Sequence, residues 1–353
     1  MPQILINGYF LCRNLTGIER FAFELTKRLD ELSAFEEISI IVPGDIVTLP
    51  PYKNLRIILH KKKEPHIWWQ MVTLQLFLLT HREYIILEFA NTILPFFPGI
   101  VFLHDIYCEF FPEDFRGLKN WLVRLYNKWQ YRLIAKHAKR IITVSKFSRS
   151  QIADAYNIDS HNISVVYNGW EHFKNIVPDY SIFNEHPEFK ARGYFFTLGS
   201  LSMRKNILWI IKYASKHPQT MFAVSGTSLP VLKVRELEDT TAPSNILLLG
   251  YLSDSKVKAL MERCRAFLMP SYYEGFGIPP LEALSCGAEI IISNAASLPE
   301  IYGNTAHYID PYNTDIDLEE LMQNPIEKPD ALLAKYSYDN SARQVYELLK
   351  EFR

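Results

Sequence analysis

What most limits the fold of this chain is a recurring order: a short apolar run, a loop, then an amphipathic stretch. The runs QILING (Gln3–Gly8), EISIIVP (Glu37–Pro43), LRIILH (Leu55–His60), YIILEF (Tyr84–Phe89), GIVFLHD (Gly99–Asp105), RIITVS (Arg140–Ser145) and ISVVYNG (Ile163–Gly169) fill the first half. Strands interleaved with helices in this way predict a mainly parallel sheet covered on both faces. The first helix is signalled near Thr16, which caps it. Glu19 completes a capping box, and Ile18, Phe21, Ala22, Leu25 and Leu29 supply one apolar face.

The order then breaks and restarts. Trp170–Gly193 mixes Pro, Asn and charge without periodicity and reads as a linker region. After it come YFFTLGS (Tyr194–Ser200), a helix from about Ile207, TMFAVSG (Thr220–Gly226), NILLLG (Asn245–Gly250), a helix near Ser255–Arg263, RAFLMP (Arg265–Pro270) and AEIIIS (Ala288–Ser293). At 353 residues the chain fits two domains of ordinary size. The expected division is an α/β domain over 1–180, a second of similar design over 181–335, and a terminal helix over 336–353 packing back toward the first.

A net charge of about −1 gives no field that would recruit nucleic acid or membrane as a whole. Cys12, Cys108, Cys264 and Cys286 are scattered, with no CxxC pair and no histidine spacing for zinc, so they read as reduced and structural. The start MPQILINGYF lacks the features of a signal peptide. The longest apolar stretch, Ile67–Thr80, contains Gln70 and Gln75 and falls short of a bilayer span, which predicts a buried or interfacial helix. The expected location is cytoplasmic. One segment, Arg116–Arg140, carries eight Lys or Arg and no acid, with Tyr126, Trp129, Leu133 and Ile134 on an apolar side. It reads either as a solvated basic face or as a contact for anionic lipid head groups or a lipid diphosphate on the inner face of a membrane.

Chemistry concentrates after the predicted strands. SYYEGFGIPPLEALSCG (Ser271–Gly287) lies between two apolar runs. Pro279 and Pro280 suit a first helical turn and Gly287 a left-handed C′ position, so the helix is about two turns long. Gly275 and Gly277 let backbone approach a ligand at its N-terminus, with Glu274 and Glu282 on either side. The same stretch also reads as an ordinary strand-to-helix turn with Glu282 as a first-turn charge. Lys205, with Arg204 beside it, precedes a helix and would favour an anion there. His104 ends a buried strand and could move a proton or stabilise charge; a strand-end histidine is equally a satisfied polar residue. Neither a Walker A sequence nor GxGxxG occurs. There is also no DxD pair to hold a metal against a diphosphate, so no metal is expected.

TGIERFAFEL, NTILP, HDIY, RIITVSKFSRSQI, VVYNG, RKN, GYLSD, EGFGIPPLEALSCG and SNAASLPEI together resemble the retaining glycosyltransferases of family 4, over most of the length. The resemblance implies the GT-B fold, two Rossmann-like βαβ domains facing each other across a deep cleft. It implies a nucleotide-diphosphate sugar on the second domain, an acceptor on the first, and neither cofactor nor metal. Glu282 would bind the ribose, Glu274 would lie by the donor sugar, and backbone at Phe276 and Gly277 would contact sugar or phosphate, with Ile278 next to them. Gly17 would approach the diphosphate, and Lys205, with Arg204, would neutralise it. Gly250 and Tyr251 would line the base pocket, and His104 would lie near the reacting acceptor. Ser200 departs from the family pattern, standing where many members carry arginine, which leaves Lys205 more of the charge. The expected reaction moves a hexose, best mannose from GDP-mannose, onto a lipid-linked oligosaccharide in bacterial O-antigen or capsule assembly. A UDP-sugar, dTDP-rhamnose, a phosphorylase, an epimerase or a non-catalytic sugar-nucleotide-binding protein are the alternatives.

Overall fold

The computed structural model describes residues 3–15, 17–46, 49–189, 193–199, 202–226 and 243–352. They form two compact units. One comprises Met1–Gly169 with Tyr336–Arg353, the other Trp170–Lys335, so the first unit gives way earlier in the chain than residue 180.

The first unit is built on seven strands, all pairing in parallel: β1 (Gln3–Asn7), β2 (Ile38–Pro43), β3 (Arg56–His60), β4 (Tyr84–Glu88), β5 (Ile100–Phe102), β6 (Arg140–Thr143) and β7 (Ile163–Val165), in the order β3-β2-β1-β4-β5-β6-β7. The near-continuous apolar runs have a direct cause, because both faces are covered. Ile4 and Ile6 of β1, Ile38, Ile40 and Val42 of β2, and Ile85 and Leu87 of β4 pack on one side with Phe21, Ala22, Leu25 and Leu29 of the helix Gly17–Leu32. Leu5, Ile41 and Ile86 alternate to the other side and meet Trp69, Leu74, Phe77 and Leu78. The helix Tyr338–Lys350 joins the first of these cores through Tyr338, Ala342, Val345 and Leu349. Thr16, read from the sequence as the helix cap, lies outside the described residues; Glu19 pairs with Arg13 at 2.8 Å. The stretch from Ile67 to Thr80 is helical with one wide π turn, Trp69–Thr73, which turns Trp69 and Gln70 inward.

The second unit repeats the design with β8 (Phe195–Leu198), β9 (Phe222–Ser225), β10 (Ile246–Gly250), β11 (Ala266–Met269), β12 (Ile290–Ser293) and β13 (His307–Ile309), ordered β10-β9-β8-β11-β12-β13. Helices Ile207–Lys216 and Asp254–Arg263 follow β8 and β10. β13 escapes sequence reading because it is three residues long and opens with a histidine.

In both sheets the chain returns to the centre after its first three strands and then grows outward in the opposite direction. The reversal lies between β1 and β4 in the first unit and between β8 and β11 in the second. The carboxyl ends flanking such a reversal are where open α/β sheets bind ligands.

Candidate active site

The loops that follow β8 and β11 meet in the second unit. After β8, Met203–Lys205 make a single 3-10 turn, and Asn206 adopts the left-handed conformation (φ 55°) before the helix Ile207–Lys216. An asparagine suits that position because its short polar side chain tolerates positive φ and finds local partners. Its amide donates to the carbonyls of Pro270 at 2.9 Å and Pro311 at 2.8 Å, pinning this turn to the end of β11. The Arg204 carbonyl accepts from the Tyr272 N–H at 2.8 Å, a second tie between the loops.

These ties deliver both cations to one carboxylate. Lys205 Nζ lies 2.6 Å from Glu274 Oε1, and an Arg204 guanidinium nitrogen lies 3.1 Å from Oε2 and donates to the Tyr273 carbonyl at 3.2 Å. Burial raises the Glu274 carboxyl, but Lys205 and Arg204 together outweigh it and hold the group below the usual carboxylate range. Glu274 is therefore ionised, and the cluster of one anion and two cations keeps a net positive charge. The sequence placed Lys205 ahead of Arg204; in the structure the two share the same partner.

Buried contacts hold the glutamate loop from below. Ser297 Oγ donates to the Glu274 carbonyl at 2.9 Å, and the Tyr302 hydroxyl donates to the Gly277 carbonyl. Gly277 has φ 86°, and a Cβ there would come within 2.7 Å of Leu298 Cδ2, so the loop admits glycine for both conformation and space. Phe276 is buried beside it. The helix Ile278–Ser285 follows with Pro279 and Pro280 in its first turn, and Gly287 has φ 81°. Glu282 is the fifth residue of this helix, past the first turn, so it is not a charge serving the helix dipole. Its Oε1 meets His172 Nε2 at 2.8 Å with both side chains buried. His172 lies in a stretch that reads as featureless linker, 110 positions from its partner, and no local pattern announces it.

Gly250 ends the edge strand β10 with φ 65°, and its carbonyl accepts from Gly226 N at 2.9 Å and Ser225 Oγ at 3.0 Å. Tyr251, which follows, is 73% exposed. Ser200 lies outside the described residues.

Two further candidates belong to the first unit. Gly17 opens the helix Gly17–Leu32 at φ 26°, with open space around its Cα. His104 is buried, and its Nε2–H donates to the Phe89 carbonyl at 2.9 Å, which leaves Nδ1 as the acceptor nitrogen. Burial pushes the imidazole down to about 4, partly offset by that bond, so it is neutral at physiological pH. Its backbone N–H donates to Asn91 Oδ1 at 2.8 Å.

A family model described as "Glycosyltransferase Family 4" matches residues 15–172, and one described as "Glycosyl transferases group 1" matches 180–342. The chain belongs to the group 1, family 4 glycosyltransferases. Among curated relatives of this enzyme, the O-antigen chain mannosyltransferase RfbU of Salmonella typhimurium is 27% identical over 258 residues, covering 70% of this chain and 68% of the relative. The O-antigen chain mannosyltransferase B of Escherichia coli is 27% identical over 340 residues, 88% of this chain and 87% of the relative. Among solved structures, Anabaena Alr3699/HepE, crystallised with UDP and glucose, superposes with a TM-score of 0.70 at 18% identity, covering 99% of this chain and all of that one. The glycosyltransferase thus has the two Rossmann-like units of the GT-B class.

Proposed function

We propose that this glycosyltransferase is a retaining, metal-independent hexosyltransferase that moves mannose from GDP-mannose to a lipid-linked oligosaccharide during assembly of a bacterial surface polysaccharide such as O-antigen. The observation that carries the reading is the Lys205–Arg204–Glu274 cluster at the strand reversal of the second unit. Mannose and O-antigen come from the two curated relatives named above. A UDP-sugar is the competing donor, supported by the UDP in the HepE crystal.

In this reading the donor's diphosphate lies against Lys205 and Arg204, which provide the positive charge that a divalent ion supplies elsewhere. As the glycosidic bond to the phosphate oxygen breaks, negative charge grows on that oxygen, and these fixed cations stabilise it. The acceptor hydroxyl attacks from the same face and gives its proton to the departing phosphate, so configuration is kept. Glu274, ionised and held by two cations, is a poor nucleophile and acts by orienting them. Glu282, fixed through Oε1 by His172, presents Oε2 to the ribose. The backbone at Phe276, Gly277 and Ile278 borders the sugar and phosphates, Gly250 and Tyr251 the base; Gly17 serves the diphosphate, and neutral His104 the donor sugar and the reacting acceptor.

Attachment to the inner face of a membrane is part of this reading. The helix Leu118–His137 buries Gln130, Tyr131 and Ile134, while Leu118, Trp121, Leu122, Leu125 and Trp129 are exposed among its basic residues. No helix among the described residues is long and apolar enough to cross a membrane. Contact would combine aromatic insertion with charge attraction, and pelleting with anionic vesicles should weaken as salt rises.

The direct test is transfer from GDP-mannose to an undecaprenyl-diphosphate oligosaccharide in EDTA, with the anomeric configuration read by NMR. An α-mannosyl product supports the reading. An inverted product, a metal requirement or a trapped glycosyl ester on Glu274 overturns the corresponding part.

A further inference from the structure

The strand reversal of the second unit holds the Lys205–Glu274 cluster, and the reversal of the first unit holds a different polar assembly. There β1 ends in Asn7 and β4 in Glu88, and their side chains meet: Asn7 Nδ2 lies 3.0 Å from each Glu88 carboxyl oxygen. Gln70 Nε2 donates to Glu88 Oε2 at 3.3 Å and to Thr92 Oγ1 at 2.6 Å, and Trp69 Nε1 donates to Asn7 Oδ1 at 3.0 Å. Glu88 is 1% exposed, and its hydrogen-bonding partners are neutral amides.

A cavity of about 20 Å³ opens onto this pair, lined by Asn7, Tyr9, Phe10, Arg13, His66 and Glu88 among others. That is room for one water molecule or one hydroxyl group. Arg13 is paired with Glu19, so its charge is not left over for a phosphate. The remaining lining is mixed, with the polar ends of Asn7 and Glu88 beside the apolar groups of Tyr9, Phe10, Ile18 and Ala22. A single neutral hydroxyl suits that space, while the ring that bears it stays outside.

We propose that Asn7 and Glu88 form the floor of a saccharide subsite in the first unit, taking one hydroxyl of the acceptor sugar. The inference rests on the reading above that this unit receives the acceptor, and names the residues that would do so. Burial pushes Glu88 up to about 8, against two amide bonds that lower it. Near neutral pH the group carries a proton, and a sugar hydroxyl is an acceptor for it.

The experiment is saturation-transfer NMR of the full chain with methyl glycosides of mannose, galactose, N-acetylglucosamine and rhamnose, in the presence of GDP. Wild type should show transfer to at least one glycoside. Glu88→Leu should weaken that binding ~10-fold or more, whereas Glu88→Gln, which keeps a donor and an acceptor, should retain it. Because Glu88→Leu could disturb folding, Ala90→Leu provides a second arm: Ala90 lines the cavity and takes no part in the polar assembly, and its enlargement should cause the same loss. Wild type binding none of the glycosides, or folded Glu88→Leu and Ala90→Leu binding as tightly as wild type, overturns the proposal. Stabilisation of the second unit by GDP is read separately, so failure of the donor reading is distinguishable from failure of this one.

Discussion

Replacing Glu88 by glutamine should change how the stability of the first unit depends on pH. An acid whose value is raised on folding, here to about 8 from 4.5, keeps a proton in the folded state that the unfolded chain has released. Between those limits stability therefore falls as pH rises, by up to ~1.4 kcal/mol per pH unit. Two histidines, one buried and one half-buried, act in the opposite sense. His66 and His104 are both pushed down to about 4 by burial, and the stability lost by keeping them neutral is recovered as pH rises through about 6.5. At pH 6.5 the unfolded histidines are still half protonated, so from pH 6.5 to 8 the two return ~0.8 kcal/mol while Glu88 removes ~1.6 kcal/mol, and the difference between wild type and variant isolates the Glu88 part. With a urea dependence of ~1–3 kcal/mol per molar, this is a midpoint shift near 1 M. The assay is urea unfolding of wild type and Glu88→Gln at both pH values. Wild type should lose stability across the interval and the variant should not. Equal changes in the two proteins would refute a neutral Glu88 and with it the cause assigned to its burial.

The other expectations concern named contacts. Lys205→Ala should lower turnover ~100-fold to ~1000-fold by removing a charge aimed at the leaving phosphate, measured with donor at saturation. Glu274→Gln should flatten the acid limb of the second unit's stability: a carboxylate held below its ordinary value contributes stability at neutral pH that is lost as pH falls, as acid unfolding would report. His172→Ala should raise the nucleotide Kd ~10-fold by releasing Glu282, and His172→Gln, which can still donate to Oε1, should restore part of it; calorimetry distinguishes the two. Leu349→Ala should cost ~2–5 kcal/mol in the unfolding of the first unit, while nucleotide binding stays at the wild-type value.

Strands were legible where burial on both faces leaves nothing polar to interrupt the run. ISIIVP of β2 is buried at every position and could be read directly. The helix Ile278–Ser285 was legible from its prolines and Gly287, because those residues act through their own backbone geometry. The partners were not legible. Glu274 and Glu282 stand out by spacing, yet the groups that hold them, Arg204 with Lys205 and His172, arrive from loops far away in sequence through strand order alone. Asn7 and Glu88 were hidden further still, since each ends an apolar run and reads as its polar terminus. What joins them is the adjacency of β1 and β4, which only the sheet order reveals.

The measurement that tests the central claim most directly is thermal unfolding with GDP, UDP, dTDP and ADP, each in EDTA, for wild type and Glu282→Ala. A nucleotide at about a hundred times its dissociation constant should stabilise the second unit by ~2.7 kcal/mol. The account predicts that GDP stabilises wild type without metal and that Glu282→Ala abolishes the shift. Stabilisation by no nucleotide, or an equal shift in the variant, would contradict a donor site built on Glu282 and the Lys205–Arg204–Glu274 cluster.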